Sequence, residues 1–433
     1  MVFRHNVKIK KEGSKLKNII FMIMVTLLLI TGCTNNLSQN ESEKTPSSFD
    51  NTTQKDGDNQ INNLSNKPKG DTDEPGEADK IDEIEEQENV ENETEEKKDV
   101  KKQEKPNKRD VRGIYLNRNS IKEENVDKFI NMVKSSNLNA VVIDVKDDYG
   151  KLTYDSEIDL ANEIGSDTNP SVSDLEALIN RFKEEDIYTI ARIVTFKDPY
   201  LAEHKTDVAL KRKDGSVWSD KAGTKWIDPY KKEVWEYVTD IAAEVSAHGI
   251  DEIQYDYIRF PENAKKVDQE VAFDNPNNTS KSDLITNYLE FSNEKLQDHP
   301  VYVSADVFGL VTSAGDDMGI GQKWEKISPL IDYISPMTYP SHYAPNSYGI
   351  DNPNDHPYDL MTKAMEDAIE KNKQLKNNGK STATIRPWIQ DFDLKRTYTE
   401  KDVRDQIKAL TDQDIQQYLV WNAGNKYTES AFN

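Results

Sequence analysis

Residues 249–261, GIDEIQYDYIRFP, carry two charged side chains in a position where they could do chemistry. The isoleucine, tyrosine and phenylalanine residues of this segment predict a buried β-strand, and its proline predicts the end of the strand. Asp256 and Arg259 lie three residues apart just before that end. Because burying a carboxylate is unfavourable unless the group is paired or used, Asp256 is a candidate catalytic residue, and Arg259 is expected to keep it ionised. The structural alternative is a simple ion pair of Asp256 with Arg259 or Arg192.

Short apolar strands alternate with amphipathic helices from residue 111 to residue 433. This alternation predicts an α/β fold, and eight such units favour a (β/α)8 TIM barrel. An open doubly wound sheet is the alternative, but no glycine-rich phosphate loop follows the first strand. Few residues follow the last strand, so the eighth helix is expected to be short, distorted or absent, with residues 427–432 covering part of the gap. The predicted strands are 111–117, 140–146, 188–195, 252–260, 302–309, 332–339, 384–391 and 417–422.

The carboxyl ends of these strands are richer in charged and aromatic residues than their amino ends. In a TIM barrel all the carboxyl ends meet at one rim, where the active sites of this fold form. We therefore expect carboxylates, cations and aromatic rings to converge there. The residues concerned are Asn117, Asp144, Lys146, Asp148, Arg192, Asp256, Arg259, Asp306, Tyr339, His342, Trp388, Gln390, Asp391, Trp421 and Asn422.

Several carboxylates beside aromatic rings indicate glycoside hydrolysis. One carboxyl group must stay protonated to donate to the leaving oxygen, and a second must be ionised to attack the anomeric carbon or to activate water. We assign the ionised role to Asp256 and the acid role to Asp306, with Asp144 and Asp391 in reserve. The acid role requires a poorly solvated site near another negative charge, which would raise the pKa of Asp306.

The other rim residues are expected to hold substrate or to orient the two carboxylates. Flat aromatic faces suit sugar rings, and packing in the core is the structural alternative for either tryptophan. Lys146 and Arg192 are expected to orient carboxylates, although Asp144 and Lys146 could instead form a buried ion pair. The candidate contacts and orienting residues are Asp144, Lys146, Arg192, Arg259, Tyr339, His342, Trp388, Gln390 and Trp421.

Motifs of several other enzyme classes are missing from the sequence. The chain has neither a Gly-x-Ser-x-Gly nucleophile elbow nor a His-Glu-x-x-His zinc motif, and it has a single cysteine. No metal and no cofactor are therefore expected. Two alternatives to a glycosidase stay open: a carbohydrate-binding barrel without catalysis, and a metal-assisted polysaccharide deacetylase or hydrolase.

The first 110 residues are expected to anchor the barrel. Residues 1–32 combine a basic start with an apolar run that is short for a membrane span, as in a signal peptide. Residues 30–33, Ile-Thr-Gly-Cys, resemble the lipobox of bacterial lipoproteins, which predicts cleavage before Cys33 and a lipid on its sulfur. An ordinary signal peptide is the alternative. Residues 33–110 are polar, acid-rich and nearly devoid of aromatic residues, so they predict a disordered tether.

Charge limits the ligands that the protein is expected to bind. The formal net charge is −23, which argues against nucleic acid and anionic lipid. We expect an extracytoplasmic monomer that is attached to the bacterial cell membrane through a lipid on Cys33. Its expected partner is a polysaccharide or oligosaccharide substrate.

The region 111–433 resembles the DUF4015 type of bacterial glycoside hydrolase domain. The similar segments are VRGIYLN, VVIDVKDDYG, TIARIVTFKDP, GIDEIQYDYIRFP, VSADVFG, DYISPMTYPSHY and WIQDF. The resemblance implies a TIM barrel related to the α-amylase and chitinase-like groups, and glycosidase activity on a polysaccharide of the cell envelope or the surroundings. Many amylase-like enzymes have glutamate at the position of Asp306, so the aspartate is a departure from their pattern.

Overall fold

The computed structural model describes residues 104–433. Their strands form one parallel sheet, and a pairing between β5 and β6 closes it into a barrel with helices between the strands. The predicted (β/α)8 TIM barrel is thereby confirmed. The strands are β1 (Arg112–Leu116), β2 (Ala140–Lys146), β3 (Tyr188–Val194), β4 (Glu252–Asp256), β5 (Tyr302–Phe308), β6 (Tyr333–Met337), β7 (Thr384–Ile385), β8 (Trp388–Gln390) and β9 (Tyr418–Trp421).

Two strands differ from their predicted bounds for local backbone reasons. The predicted seventh strand, 384–391, is divided into β7 and β8, which both pair with β6. Pro387 lies between them and has no N–H to donate to a sheet. The fourth strand ends at Asp256 instead of residue 260 because Tyr257 adopts a left-handed conformation with φ of 49°. The chain therefore turns at the catalytic candidate itself.

The helices pack their apolar faces against the outside of the barrel. In α1, for example, Val126, Phe129 and Val133 are buried on one face. No full helix follows β9; a 3-10 turn, Glu429–Phe432, buries Phe432 against the core, as expected for the tail. The helices are α1 (Glu123–Lys134), α2 (Asp159–Ile164), α3 (Leu175–Glu184), α4 (Pro199–His204), α5 (Lys232–Ala247), α6 (Ala264–Glu270), α7 (Lys281–Lys295), α8 (Trp324–Ile327), α9 (Pro357–Asn377) and α10 (Glu400–Thr411).

The amino-terminal half of the barrel interior contains a buried ion pair. Glu252, the first residue of β4, accepts a hydrogen bond of 3.0 Å from Arg386 Nη1 and one of 3.1 Å from the Tyr188 hydroxyl. Both charged side chains are fully buried. The two charges of this pair therefore compensate each other inside the barrel.

Residues 104–110, which the sequence assigned to the tether, contact the amino-terminal side of the barrel. The Tyr302 hydroxyl, at the start of β5, donates to the Pro106 carbonyl at 2.8 Å. Lys105 lies 3.3 Å from the Asp332 carboxylate just before β6. The chain therefore reaches β1 along the end of the barrel that is opposite the catalytic candidates.

The predicted signal peptide, the lipidation site at Cys33 and residues 33–103 of the predicted tether lie outside the described residues. Among residues 104–433, no helix is long and apolar enough to cross a membrane.

Candidate active site

Arg192, on β3, holds three carboxylates together at the carboxyl-terminal rim. Its Nε and Nη2 donate to Asp256 Oδ2 at 2.9 and 2.7 Å, and its Nη1 donates to Asp144 Oδ1 at 2.7 Å. Nη2 also contacts Asp148 Oδ2 at 3.0 Å. The arginine is 1% exposed, so these interactions occur in a poorly solvated environment. Charge-assisted hydrogen bonds of this kind fix the positions of the carboxylates.

Asp256 is fixed by its own strand end as well as by Arg192. The residue pairs with Val194 of β3, which brings the two strand ends together. The Tyr257 backbone N–H donates to Asp256 Oδ1 at 2.6 Å. A left-handed tyrosine costs about 1–3 kcal/mol, a strain that proteins commonly retain at functional sites. Each oxygen of Asp256 thus has a donor that sets its direction.

Asp148 is the most strongly acidic of the three carboxylates. Burial alone would raise its pKa, but Arg192 and Lys197 outweigh burial and hold the pKa of Asp148 well below its usual range. The Lys197 ammonium lies 3.0 Å from Asp148 Oδ1 and donates to the Tyr257 hydroxyl at 3.2 Å. Asp148 is therefore ionised over the whole working pH range and provides a fixed negative charge.

Asp306, on β5, lies beside Asp256, and burial has the largest effect on its pKa. Tyr255 of β4 pairs with Ala305 of β5. Asp256 and Asp306 are the next residues, so they lie at the same level on adjacent strands. Burial, reinforced by the charge of Asp256, raises the pKa of Asp306 well above its usual range. The Trp388 Nε1–H donates to Asp306 Oδ1 at 2.7 Å and opposes the rise only in part. These surroundings therefore favour the protonated form of Asp306.

Asp144, on β2, is the third acidic group of the interior. The Tyr115 hydroxyl donates to Asp144 Oδ2, and Arg192 donates to the other oxygen. Burial raises the pKa of Asp144 to about 7, against the opposing effect of Arg192. The ring of Tyr115 stacks on Trp421 with 4.1 Å between centroids. Asp144 is thus integrated into the wall of the site, as expected for a group that orients others.

The predicted sugar contacts divide into buried and accessible rings. Trp388 and Tyr339 are 1% and 4% exposed, and the indole of Trp388 serves as the donor to Asp306. Trp421 and His342 keep part of their surface exposed. Burial lowers the pKa of His342 to about 4, so this ring is neutral at pH 7. Trp421 and His342 are therefore better placed than the other two to meet a substrate.

Arg259 does not form the predicted ion pair with Asp256. Its guanidinium contacts Glu262 at 3.0 Å and the Phe260 carbonyl at 3.0 Å, and it lies 4.4 Å from the centre of the Phe308 ring. The turn at residue 257 directs the chain away from Asp256. Arg192 takes the pairing role that the three-residue spacing had suggested for Arg259.

Lys146 also lies apart from the carboxylates that it was predicted to orient. The register between β2 and β3 shifts between Asp144 and Lys146. The Lys146 ammonium bonds the Val194 carbonyl at 2.6 Å and pairs with Asp198 at 2.7 Å, both side chains being fully buried. Lys146 therefore anchors the loop after β3 instead of acting at the site.

Two further predicted rim residues connect loops. Gln390 accepts from the Ser341 backbone N–H at 3.1 Å and donates to the Phe392 carbonyl at 2.9 Å. Asp391 accepts from the backbone N–H and the hydroxyl of Thr428, at 2.7 and 2.8 Å. Asp391 thus fixes the C-terminal tail, which removes it as a reserve acid.

Sequence reasoning gave no role to three residues of this network: Tyr115, Lys197 and Tyr257. Lys197 directly follows the third strand, so a search for cations one or two residues beyond strand ends would have found it. The role of Tyr257 depends on its left-handed backbone conformation, which cannot be predicted from the residue type. In residues 104–433, no group of three or more histidine, cysteine or acidic residues has an arrangement that could hold a metal ion.

Comparison with known proteins identifies the family. The family described as "Putative glycosyl hydrolase domain", DUF4015, matches residues 113–427. A crystal structure of a hypothetical protein from Ruminiclostridium thermocellum is 32% identical over 48% of this chain and 98% of that chain, with a TM-score of 0.41. A comparison with curated proteins found no match.

Two further solved structures are similar at lower identity. The glycoside hydrolase domain of PgaB (BpsB) from Bordetella bronchiseptica has a TM-score of 0.53 at 11% identity, over 75% of this chain and 98% of that chain. The spore cortex-lytic enzyme SleL from Bacillus megaterium has a TM-score of 0.45 at 12% identity, over 75% and 73% of the two chains. The first of these supports the TIM-barrel-like fold. Because the family match spans residues 113–427, which is well over half of the chain, the chain belongs to the DUF4015 family.

Proposed function

We propose that the barrel hydrolyses glycosidic bonds of a polysaccharide in the bacterial cell envelope or its surroundings. One observation carries the proposal: two neighbouring carboxyl groups have different surroundings. Asp256 is ion-paired with Arg192, whereas burial and the charge of Asp256 raise the pKa of Asp306 well above its usual range. Glycosidases require such a pair, and membership in a family of glycosyl hydrolase domains supports the same class of reaction.

The proposed reaction divides the chemistry between these two groups. Asp306 donates its proton to the glycosidic oxygen while the bond between that oxygen and the anomeric carbon breaks. Asp256 either attacks the anomeric carbon or accepts a proton from the water that attacks it. Arg192 holds one oxygen of Asp256, and the Trp388 indole holds one oxygen of Asp306 so that its carboxyl group keeps one orientation.

The charges at the rim favour a neutral glycan as substrate. Three cations lie at or near the site, and each has a carboxylate partner within 3.0 Å. The pairs are Arg192–Asp256, Lys197–Asp148 and Arg259–Glu262. A uronic acid or phosphate that approached Arg192 would have to displace Asp256, at the cost of leaving a buried charge without its partner. A neutral sugar meets no such barrier.

The proposed place of action is the outer side of the bacterial cell membrane. The segment Ile-Thr-Gly-Cys at residues 30–33 supports attachment through a lipid on Cys33. Replacement of Cys33 by alanine should release the chain from the membrane fraction into the medium. Equal membrane recovery of the C33A variant and the wild type would contradict the anchor.

The reaction is tested by a screen for reducing-end release over cell-envelope and plant glycans, using the full chain. Neutral polysaccharides should yield new reducing ends, and polyuronides should yield few or none. The screen should include metal chelator in one arm, because a chelator-sensitive release of acetate would instead indicate a metal-assisted deacetylase. Retention of glycans without any cleavage would instead indicate a carbohydrate-binding barrel.

A further inference from the structure

The loop after β2 presents an aromatic ring to solvent at the rim of the barrel. Tyr149 is 65% exposed, and Ile369 on α9 is the other large hydrophobic side chain recorded as exposed in the part of the chain that the structure describes. Most other tyrosines of the barrel are partly or fully buried. An aromatic face left in water is a surface on which a ligand can bury apolar area.

The turn that carries Tyr149 is rigid in its backbone. Asp147 Oδ1 accepts the backbone N–H groups of Tyr149 and Lys151 at 2.9 and 3.0 Å. Arg118 holds the other oxygen of Asp147 at 3.0 Å. Gly150 adopts φ of 79°, and a Cβ there would lie 1.9 Å from an oxygen of the neighbouring Asp198 side chain. The backbone is thus closely packed on the side of the loop that faces the barrel.

The same turn is joined directly to the catalytic network. Asp148, the residue before Tyr149, bonds Arg192 at 3.0 Å and Lys197 at 3.0 Å. Arg192 in turn holds Asp256. The position of Tyr149 relative to the acid pair is therefore set by two ion pairs, and it does not depend on a mobile loop.

We infer that Tyr149 is a stacking platform for a sugar ring of the substrate that lies outside the pair of rings being cleaved. The inference rests on the proposed glycosidase function and extends it: the substrate is a polymer of at least three sugar units, and chain length contributes to affinity. Because the turn is already ordered, little conformational entropy is lost there when a sugar binds. The apolar face of a neutral pyranose fits an exposed phenol ring without requiring any charge.

The test compares substrates of different length in the wild type and in Tyr149→Ala. With a hexasaccharide of the glycan that the screen identifies, the variant should show a KM raised about tenfold, the size of effect expected from one aromatic contact. The ratio of kcat/KM for the hexasaccharide to kcat/KM for an aryl monoglycoside should fall by a similar factor. Tyr149→Trp, which keeps an aromatic face, should restore the ratio, and Ile369→Ala is the control for loss of an exposed hydrophobic group elsewhere.

A second measurement separates this inference from the proposed reaction. In affinity electrophoresis through gels containing neutral polysaccharide, the chain with Asp256→Asn should be retarded, and addition of Tyr149→Ala should reduce the retardation in line with an affinity lower by about tenfold. This result would support the platform even if no glycan were cleaved. Equal retardation of both chains, no retardation of either, or an unchanged length preference in Tyr149→Ala would overturn the inference.

Discussion

Arg192 directs two of its donors, Nε at 2.9 Å and Nη2 at 2.7 Å, to a single oxygen of Asp256. The other oxygen of Asp256 receives the Tyr257 backbone N–H. The carboxylate is therefore held from two directions, which fixes its orientation. Asp306, on the neighbouring strand, instead accepts from the Trp388 indole, so the two carboxyl groups have different surroundings.

Replacing Asp306 by asparagine should remove acid catalysis while preserving the pairing of Asp256. We expect hydrolysis of a natural glycan to fall by about 10²–10⁴-fold. Aryl glycosides whose phenol is a good leaving group should be much less affected, because they need little protonation. The dependence of rate on leaving-group pKa measures this directly. An equal loss for both substrate types would contradict the acid role.

Trp388→Phe removes the indole donor to Asp306. Because this hydrogen bond lowers the pKa of Asp306, its loss should raise that pKa further and move the alkaline limb of the kcat/KM profile to higher pH. Trp324→Phe is a matched control, since Trp324 is also buried and donates to Asn372 at 2.9 Å. The control should lose stability without moving the alkaline limb of the kcat/KM profile. A shift of that limb to lower pH in Trp388→Phe would contradict the assignment of Asp306 as the acid.

Arg192→Met should be among the most damaging single changes to the barrel. It would leave Asp144, Asp148 and Asp256 buried or half-buried without their shared cation. Breaking a buried ion pair from one side costs about 3–5 kcal/mol. Urea unfolding monitored by circular dichroism measures the loss. Arg192→Lys should recover part of the stability but little activity, because an ammonium cannot reproduce the forked contact with Asp256.

Asp144 makes the stability of the protein depend on pH in a defined direction. Its pKa of about 7 in the folded state exceeds the value of about 4 expected in the unfolded chain. The folded state therefore binds more protons between these values, so this contribution to stability is fully present below pH 4 and is lost as pH rises through 7. Relative to Asp144→Asn, the wild-type free energy of unfolding should fall by up to about 1.4 kcal/mol per pH unit in that window. Parallel curves for the two proteins would contradict the raised pKa.

The fold was predictable because its signals are repeated along the chain. Alternation of apolar strands with amphipathic helices predicted the barrel, and the polar residues at strand ends predicted which rim holds the site. Asp256, Asp306 and Arg192 were placed correctly at that rim because each lies at or near the end of its own strand.

The errors in the site arose from backbone features that single residues do not reveal. Spacing suggested that Arg259 pairs with Asp256, but the left-handed turn at Tyr257 separates them. Lys146 was expected to orient carboxylates or to pair with Asp144, but the register between β2 and β3 shifts between these two residues, and Lys146 pairs with Asp198. Trp388 was predicted as a sugar contact or a core residue, and its buried indole donates to Asp306.

The central claim is that Asp256 and Asp306 together cleave a glycosidic bond. The most direct test is reducing-end release by the full chain and by Asp256→Asn, with Asp251→Asn as a control that changes a buried carboxylate before β4, where it accepts from the Thr189 N–H at 2.8 Å. We predict cleavage by the wild type and the control, and a loss of about 10³-fold or more in Asp256→Asn. Thermal unfolding should show that Asp256→Asn remains folded. Full activity in the folded Asp256→Asn variant would contradict the account.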